Sequence, residues 1–427
     1  MKRIFVLPGT LDCGNWGDVA MLQVALRRLR AHWPAAEFHV LTSAPDKLRR
    51  HCPEVLPVIW RGGKRWLEVD VLPHLFTPGI PKETRRRFPL TGGKILPLTR
   101  LLYPPDGAAV RQFARAFFNS DLVVMSGCGL VNDEFQLNAR RMLELLAAAD
   151  RCDILTAMLG QGLGPIRDER LLPVAARVLP RLGAIFVRER GPSCDLLRQF
   201  SVAEGKIFVT GDDAVELAFD ERRPVLGGQL GINLRLASYA ALNESVLPAL
   251  RRLLAAKAQQ FHAGLAGIPI LQMAANSDVQ TLEHLVEQKN AGSELGSPLA
   301  VIRRISGCRV VVAGSYHAGV FALAQGIPVI GIIHSDYYRD KFQGLAAEFG
   351  DGCVVLGADD PEFSKKLGAA IDEMWARAGD LKPKLLAAAE RQIHAGRAAY
   401  TRLPELVGSR PAPGESPFLN QFPLHKT

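Results

Sequence analysis

Short apolar runs alternate with longer stretches of helical apolar spacing, and each apolar run ends in glycines and polar residues. Ile4–Leu7, Leu122–Met125, Ile154–Met158, Ala184–Val187 and Ile207–Val209 read as strands buried on both faces. The loops PGTLDCGNWGD, SGCGLVND, GQGLGP, RERGPS and TGDD follow them in that order. After the first loop, Leu22, Ala25, Leu26 and Leu29 mark one face of a helix. Such alternation predicts a doubly wound parallel sheet, because parallel strands need helical crossovers.

A break at Asp220–Gln229 reads as a hinge, after which the pattern restarts. Leu230–Leu234 is a predicted strand, Leu242–Gln260 a helix, Ile268–Gln272 and Arg309–Val312 strands, Ala318–Gln325 a helix and PVIGI a strand. The segment DYYRDKFQGLAAEFG predicts a helix that brings Lys341 to the rim of a cleft. Two further helices are expected between Pro361 and Tyr400, one of them packing back on the first half. The fold expected is α/β, with two Rossmann-like domains facing across a cleft. Residues 1–222 form the first, with an insertion at about 61–107. Residues 228–380 form the second, followed by a helix at 381–402 and a loose tail at 403–427 that carries five prolines.

Composition narrows the class. At 427 residues and 48% hydrophobic content the chain can fill two domain cores of roughly 100–200 residues each. No apolar run reaches the roughly 18 residues that span a bilayer, and MKRIFVLPGT runs into a glycine loop without a signal-peptide cleavage region, so a cytoplasmic protein is expected. Seven scattered cysteines without a C-x-x-C predict reduced thiols, neither a disulfide frame nor a zinc site. The histidines are dispersed and no metal is expected. The net charge of +9 is concentrated between Arg61 and Gly107, with nine basic residues against four acidic among aromatics, prolines and glycines. Three readings of that stretch stand: a solvated loop, a surface for anionic lipid headgroups giving peripheral membrane contact, or a nucleic-acid patch. The run Arg85–Arg87 is not enough for nucleic acid, and none is expected as a partner.

Two loops carry candidate chemistry. In AGSYHAGVFALAQGIPVIG, the triplet Ser315, Tyr316 and His317 sits between a strand and a small-residue helix, placing an imidazole at a strand's carboxyl end. Ligands of open α/β sheets bind at that edge, where the crevice is free of connecting chain and faces helix N-termini. The plainer alternative is a helix-capping histidine. Near the amino terminus, Asn15, Gly17 and Asp18 lie in a strand–loop–helix junction that suits an anion or a sugar, because glycines let backbone N–H groups approach closely. Neither a G-x-G-x-x-G nor a P-loop spacing is present.

Taken in order, GNWGDVAML, SGCGLVND, GQGLGP, VRERGPS and SYHAGVFALAQGIPVI resemble the polysaccharide pyruvyl transferase family, from about Arg3 to about Gly350. The resemblance implies a GT-B-like architecture and no cofactor. It implies transfer of a pyruvate ketal from phosphoenolpyruvate to a sugar of a cell-surface polysaccharide or its lipid-linked precursor. That reaction needs a general acid, for which His317 is suited. The donor's phosphate and carboxylate call for a guanidinium fork, with Arg188 first and Arg235 second, and Lys341 as a further cation. Gly127 and Gly129 let backbone approach a ligand, while Asn132 and Asp133 bind sugar hydroxyls or cap the following helix. Asn15 and Asp18 fall on the acceptor side by analogy. The family's late motif usually carries an arginine two residues before the histidine, where this chain has Ser315. A nucleotide-sugar glycosyltransferase and a non-catalytic sugar-binding or assembly protein are the alternatives.

Overall fold

The computed structural model describes residues 1–60, 107–234, 247–273, 276–286, 295–333 and 335–408. The basic stretch, apart from Gly107, lies outside them, as do Arg235 and residues 409–427.

The first sheet runs β1 (Arg3–Leu7), β2 (Glu37–Thr42), β3 (Leu56–Ile59), β4 (Leu122–Met125), β5 (Leu155–Gln161), β6 (Ala184–Val187) and β7 (Ile207–Val209), in the spatial order β3-β2-β1-β4-β5-β6-β7. All its pairings are parallel, with Ile4 opposite both Phe38 and Leu122. The helices between and after these strands are α1 (Trp16–His32), α2 (Pro45–His51), α3 (Gly107–Phe118), α4 (Gln136–Arg151), α5 (Leu172–Val178), α6 (Pro192–Gln199) and α7 (Ala214–Asp220). Phe5, Val123, Ile185 and their neighbours are fully buried because helices cover both faces.

The second sheet holds β8 (Gln229–Asn233), β9 (Leu265–Gly267), β12 (Cys308–Ala313), β13 (Val329–Ile333) and β14 (Cys353–Gly357), ordered β14-β13-β12-β8-β9 and again parallel. A small antiparallel hairpin pairs β10 (Gln272–Met273) with β11 (Asn276–Ser277). The helices here are α8 (Leu247–Gln260), α9 (Asp278–Val286), α10 (Pro298–Ile305), α11 (Tyr316–Ala324), α12 (Asp336–Phe349), α13 (Phe363–Tyr400) and α14 (Arg402–Gly408).

Four sequence expectations need correction. The strand expected at Ile268–Gln272 lies earlier, at Leu265–Gly267. Ile268 and Ile270 are buried, but the amide of Ile270 donates to the Asp278 carboxylate and so leaves the ladder. The expected pair of late helices is one 38-residue helix, α13, so the separate helix at 381–402 is its second half. Pro383 sits on its exposed side, where a carbonyl freed by the missing N–H can be solvated. Leu381, Leu385 and Ala388 stay buried on the other side and hold the helix together. The tail is not loose at its start, because α14 begins at Arg402 and Leu403 is fully buried. Finally, His317 lies inside the first turn of α11 and not in the loop before it.

Helix α13 returns to the first domain. Its Tyr400 hydroxyl donates to Asp213 Oδ2 (2.8 Å), and its Gln392 side chain covers Gly211, where a φ of +72° and the lack of a Cβ allow the close approach. The carboxyl ends of both sheets therefore face the same cleft, with the turn 211–213 held at its edge.

Candidate active site

The loop after β1 folds on its own polar groups. Thr10 Oγ1 donates to Asp12 Oδ1 (2.7 Å), which also accepts from the amide of Gly14 (3.0 Å). Asn15 then caps α1, its Oδ1 accepting from the amides of Gly17 (2.9 Å) and Asp18 (3.4 Å). The same loop meets the second domain through its backbone. Trp16 N donates to Ile270 O (3.0 Å) and Gln272 N donates to Gly14 O (2.9 Å), with Asn15 and Leu271 forming an antiparallel bridge.

This strap brings the start of α1 against the start of α11. A Cβ at Gly17 would run into the His317 ring and lie 2.6 Å from His317 Cβ, so only glycine fits there. Asp18, one residue on, has His317, Arg188, Lys341 and Asp212 as charged neighbours, and burial pushes its carboxyl above the usual range despite the three cations.

Arg188 extends the ladder beyond β6, its amide donating to Gln161 O (3.0 Å). Its side chain is buried. Nε donates to Gly160 O (3.0 Å) and lies 3.1 Å from Asp212 Oδ2, Nη2 donates to Met21 Sδ (3.4 Å), and the guanidinium lies 4.9 Å from the centre of the Tyr316 ring. The Lys341 ammonium approaches the same ring at 5.9 Å. Burial, and then the Arg188 charge, pull the Lys341 amine down to about 7. His317 Nε2 is 3.6 Å from Asp212 Oδ2. Burial opposes ionisation of Asp212, but Arg188 and then His317 outweigh it and hold this carboxyl below the usual range.

One point at the cleft is thus ringed by Asp18, Arg188, Asp212, Tyr316, His317 and Lys341, drawn from both domains. The cavity that Arg188, Glu189, Tyr316 and Lys341 help to line is only about 10 Å³, room for about one water. A broader, open depression of about 640 Å³ lies at the amino ends of β8 and β12, among Arg223, Arg303 and Arg304, away from these residues. The cluster can donate a proton, neutralise anions, and accept a proton on a carboxylate whose ionised form is disfavoured.

Of the other sequence candidates, Gly127 lies under Met21, whose side chain fills the place of a Cβ. Gly129 O accepts from Asn132 Nδ2 (2.6 Å), and Asn132 Oδ1 accepts from the amide of Phe135 (3.0 Å). The Asp133 carboxylate accepts from the amides of Arg167 and Asp168, joining the loops after β4 and β5. The Ser315 amide donates to Asn233 Oδ1 (2.7 Å). Asn233 Nδ2 in turn donates to Ile268 O (2.7 Å) and Asp278 Oδ2 (3.2 Å), which fixes the segment that carries the strap. Arg235 is outside the described residues.

Asp212, Asn233 and Asp278 were not among the sequence candidates. Asp212 had a signal, since TGDD follows β7 as RERGPS follows β6. Its neighbour Asp213 points the other way, to Arg28 and Tyr400. Cys128 lies beside Asp18, and burial pushes its thiol up to about 12. All seven cysteines are unbridged. Among the described residues no group of three His, Cys, Asp or Glu is placed to hold a metal, and no helix is long and apolar enough to cross a membrane.

The family model described as polysaccharide pyruvyl transferase matches residues 15–336. Among curated proteins none matches the sequence. Solved structures share the fold. A Listeria monocytogenes protein assigned as a UDP-N-acetylglucosamine 2-epimerase is 11% identical with a TM-score of 0.58, covering 97% of this chain and 99% of its own. The UDP-GlcNAc 2-epimerase of Neisseria meningitidis, solved with UDP-GlcNAc, is 13% identical with a TM-score of 0.53, covering 95% and 100%. The glycotransferase of kitacinnamycin is 12% identical with a TM-score of 0.51, covering 95% and 100%. At such identities the likeness concerns the two-domain GT-B-type fold alone.

Proposed function

Because the chain belongs to the polysaccharide pyruvyl transferase family, we propose that it moves the pyruvyl group of phosphoenolpyruvate onto two hydroxyls of one sugar, releasing inorganic phosphate. The observation that carries this reading is the convergence of His317, Arg188 and Lys341 with two carboxylates at one interdomain point. Phosphoenolpyruvate brings a phosphate and a carboxylate, and Arg188 and Lys341 are the cations that face them. His317 gives a proton to the methylene carbon, which becomes the methyl group, and the adjacent carbon becomes the cation that the first sugar hydroxyl traps. Asp18 takes that hydroxyl's proton. The second hydroxyl then displaces phosphate from the same carbon and closes the cyclic ketal, its proton leaving with the phosphate. Ser315, where the family usually has an arginine, leaves the anion contacts to Arg188 and Lys341, which flank Tyr316. The acceptor in this reading is a polysaccharide unit or its lipid-linked precursor, met at the membrane surface.

A thermal-shift series on the purified chain tests the donor, because a ligand of the folded state raises the melting point by mass action. Phosphoenolpyruvate is expected to raise it and UDP to leave it unchanged. The reverse would favour a nucleotide-sugar transferase, and no response to either a sugar-binding protein. Mass spectrometry of surface glycans with and without the gene then reads the ketal itself.

A further inference from the structure

We propose that Asp212 is a positioning residue that reaches from the first domain to His317 in the second, so that the acid is complete only while the two domains are closed. The inference rests on His317 being the proton donor.

The geometry separates two functions of one carboxylate. Asp212 Oδ1 accepts from the amide of Ala214 (2.8 Å) at the start of α7, which fixes its rotation. Oδ2 is then aimed at Arg188 Nε (3.1 Å) and His317 Nε2 (3.6 Å). Both Asp212 Oδ2 and His317 Nε2 are buried without a hydrogen-bond partner. A separation of 3.6 Å is too long for a hydrogen bond but close enough for a counter-charge, so the Nε2 hydrogen stays available for a substrate carbon. The turn cannot swing away. Asp213 is held by Arg28 Nη1 and by the Tyr400 hydroxyl, and Gly211 lies under Gln392, so α13 braces it. The other charged or titratable groups around the pair are Arg188, Asp18, Tyr316 and Lys341, with Glu189 beyond Arg188 and Cys128 behind Asp18. Burial pushes Asp18 and Glu189 up, whereas Arg188 and then His317 hold Asp212 down.

The test uses the full chain with 13C-labelled histidine, following each ring signal by NMR against pH, the His317 signal being the one lost in His317→Gln. Asp212→Asn keeps an acceptor for the Ala214 amide but removes the charge. It is expected to displace the His317 ring titration toward lower pH, because the counter-charge 3.6 Å away is gone, and to move the alkaline limb of phosphate release from phosphoenolpyruvate the same way. Asp212→Glu should restore the native titration. Asp213→Asn, which loosens the same turn, should lower the melting temperature and leave the His317 titration unchanged. Identical titrations in the native chain and Asp212→Asn would overturn the proposal, as would an Asp213→Asn curve displaced as far as that of Asp212→Asn. Because the ring titration needs no substrate, a wrong donor would show separately, as native chain that releases no phosphate from phosphoenolpyruvate.

Discussion

Gly17→Ala places one methyl group between the two domains and probes whether the His317 ring occupies this position during turnover. The added Cβ would lie 2.6 Å from His317 Cβ and closer still to the ring, against ordinary carbon contact at about 3.5–4.0 Å. With the ring atoms the nearest neighbours, the ring or the whole second domain must therefore yield by at least roughly 1.5 Å. The backbone itself accepts alanine, because Gly17 lies in the first turn of α1, where the exchange favours the helix by up to about 1 kcal/mol. Overpacking costs about 1–3 kcal/mol, so the net change in stability is small, of order 2 kcal/mol or less. The catalytic effect is larger, since a misplacement of about 1 Å costs on the order of 100-fold in rate. Continuous phosphate release at saturating phosphoenolpyruvate measures it, with a melting curve as the companion. Native turnover in Gly17→Ala would show that the ring does not work from the place it holds here, and would refute the reasoning.

Asp18→Asn should abolish transfer yet stabilise the fold. The Asp18 pKa is raised on folding, so its contribution is full below the unfolded value and is lost as pH rises through the folded one. The melting temperature of the variant should therefore gain on the native chain as pH rises above about 4. Lys341→Met should weaken phosphoenolpyruvate binding in a titration calorimeter and raise the melting temperature near pH 6–7. The lysine falls from 10.5 to about 7 on folding, its penalty is complete below pH 7, and the variant's advantage should fade toward pH 10. Tyr400→Phe removes the hydroxyl that satisfies Asp213, and chemical denaturation should show a loss of about 1–3 kcal/mol.

The strand-end rule found much of this in the sequence. β4, β6 and β7 have the expected bounds, and Arg188 and His317 both follow from reading the residues just past apolar runs. β5 runs on to Gln161 through the register shift after Met158, at a Gly160 whose φ of +55° no apolar period announces. Asp212 follows the same rule, but its meaning depends on a residue about a hundred positions later and in the other domain. Ile268 still donates to Ile232 O of β8, but Ile270 read as strand because apolar periodicity reports what is covered and not what is hydrogen-bonded, its amide going to Asp278. Asn132 and Asp133 read equally well as ligands or as loop-forming residues, and only their amide partners distinguish the two.

The closed cleft requires a moving part. Among the described residues the space lined by Arg188, Glu189, Tyr316 and Lys341 is about 10 Å³, too small for a phosphorylated three-carbon acid, so in the proposed reaction this point must open before the donor enters. The strap between Gly14–Trp16 and Ile270–Gln272 holds by two backbone hydrogen bonds, each worth a net of about 0.5–1.5 kcal/mol. The strap is only part of what opening must break, because buried apolar side chains of both domains also pack in one continuous core, so a ligand must favour the open form for it to be populated. Opening also takes Asp212 away from His317 and lets water reach Asp18 and Lys341. Both carry shifted proton affinities because burial disfavours their charges, and water reaching them would relax those shifts. In the proposed reaction donor binding, water exclusion and the assembly of the acid belong to one motion, and an open enzyme holding phosphoenolpyruvate would lack the Asp212 charge beside His317.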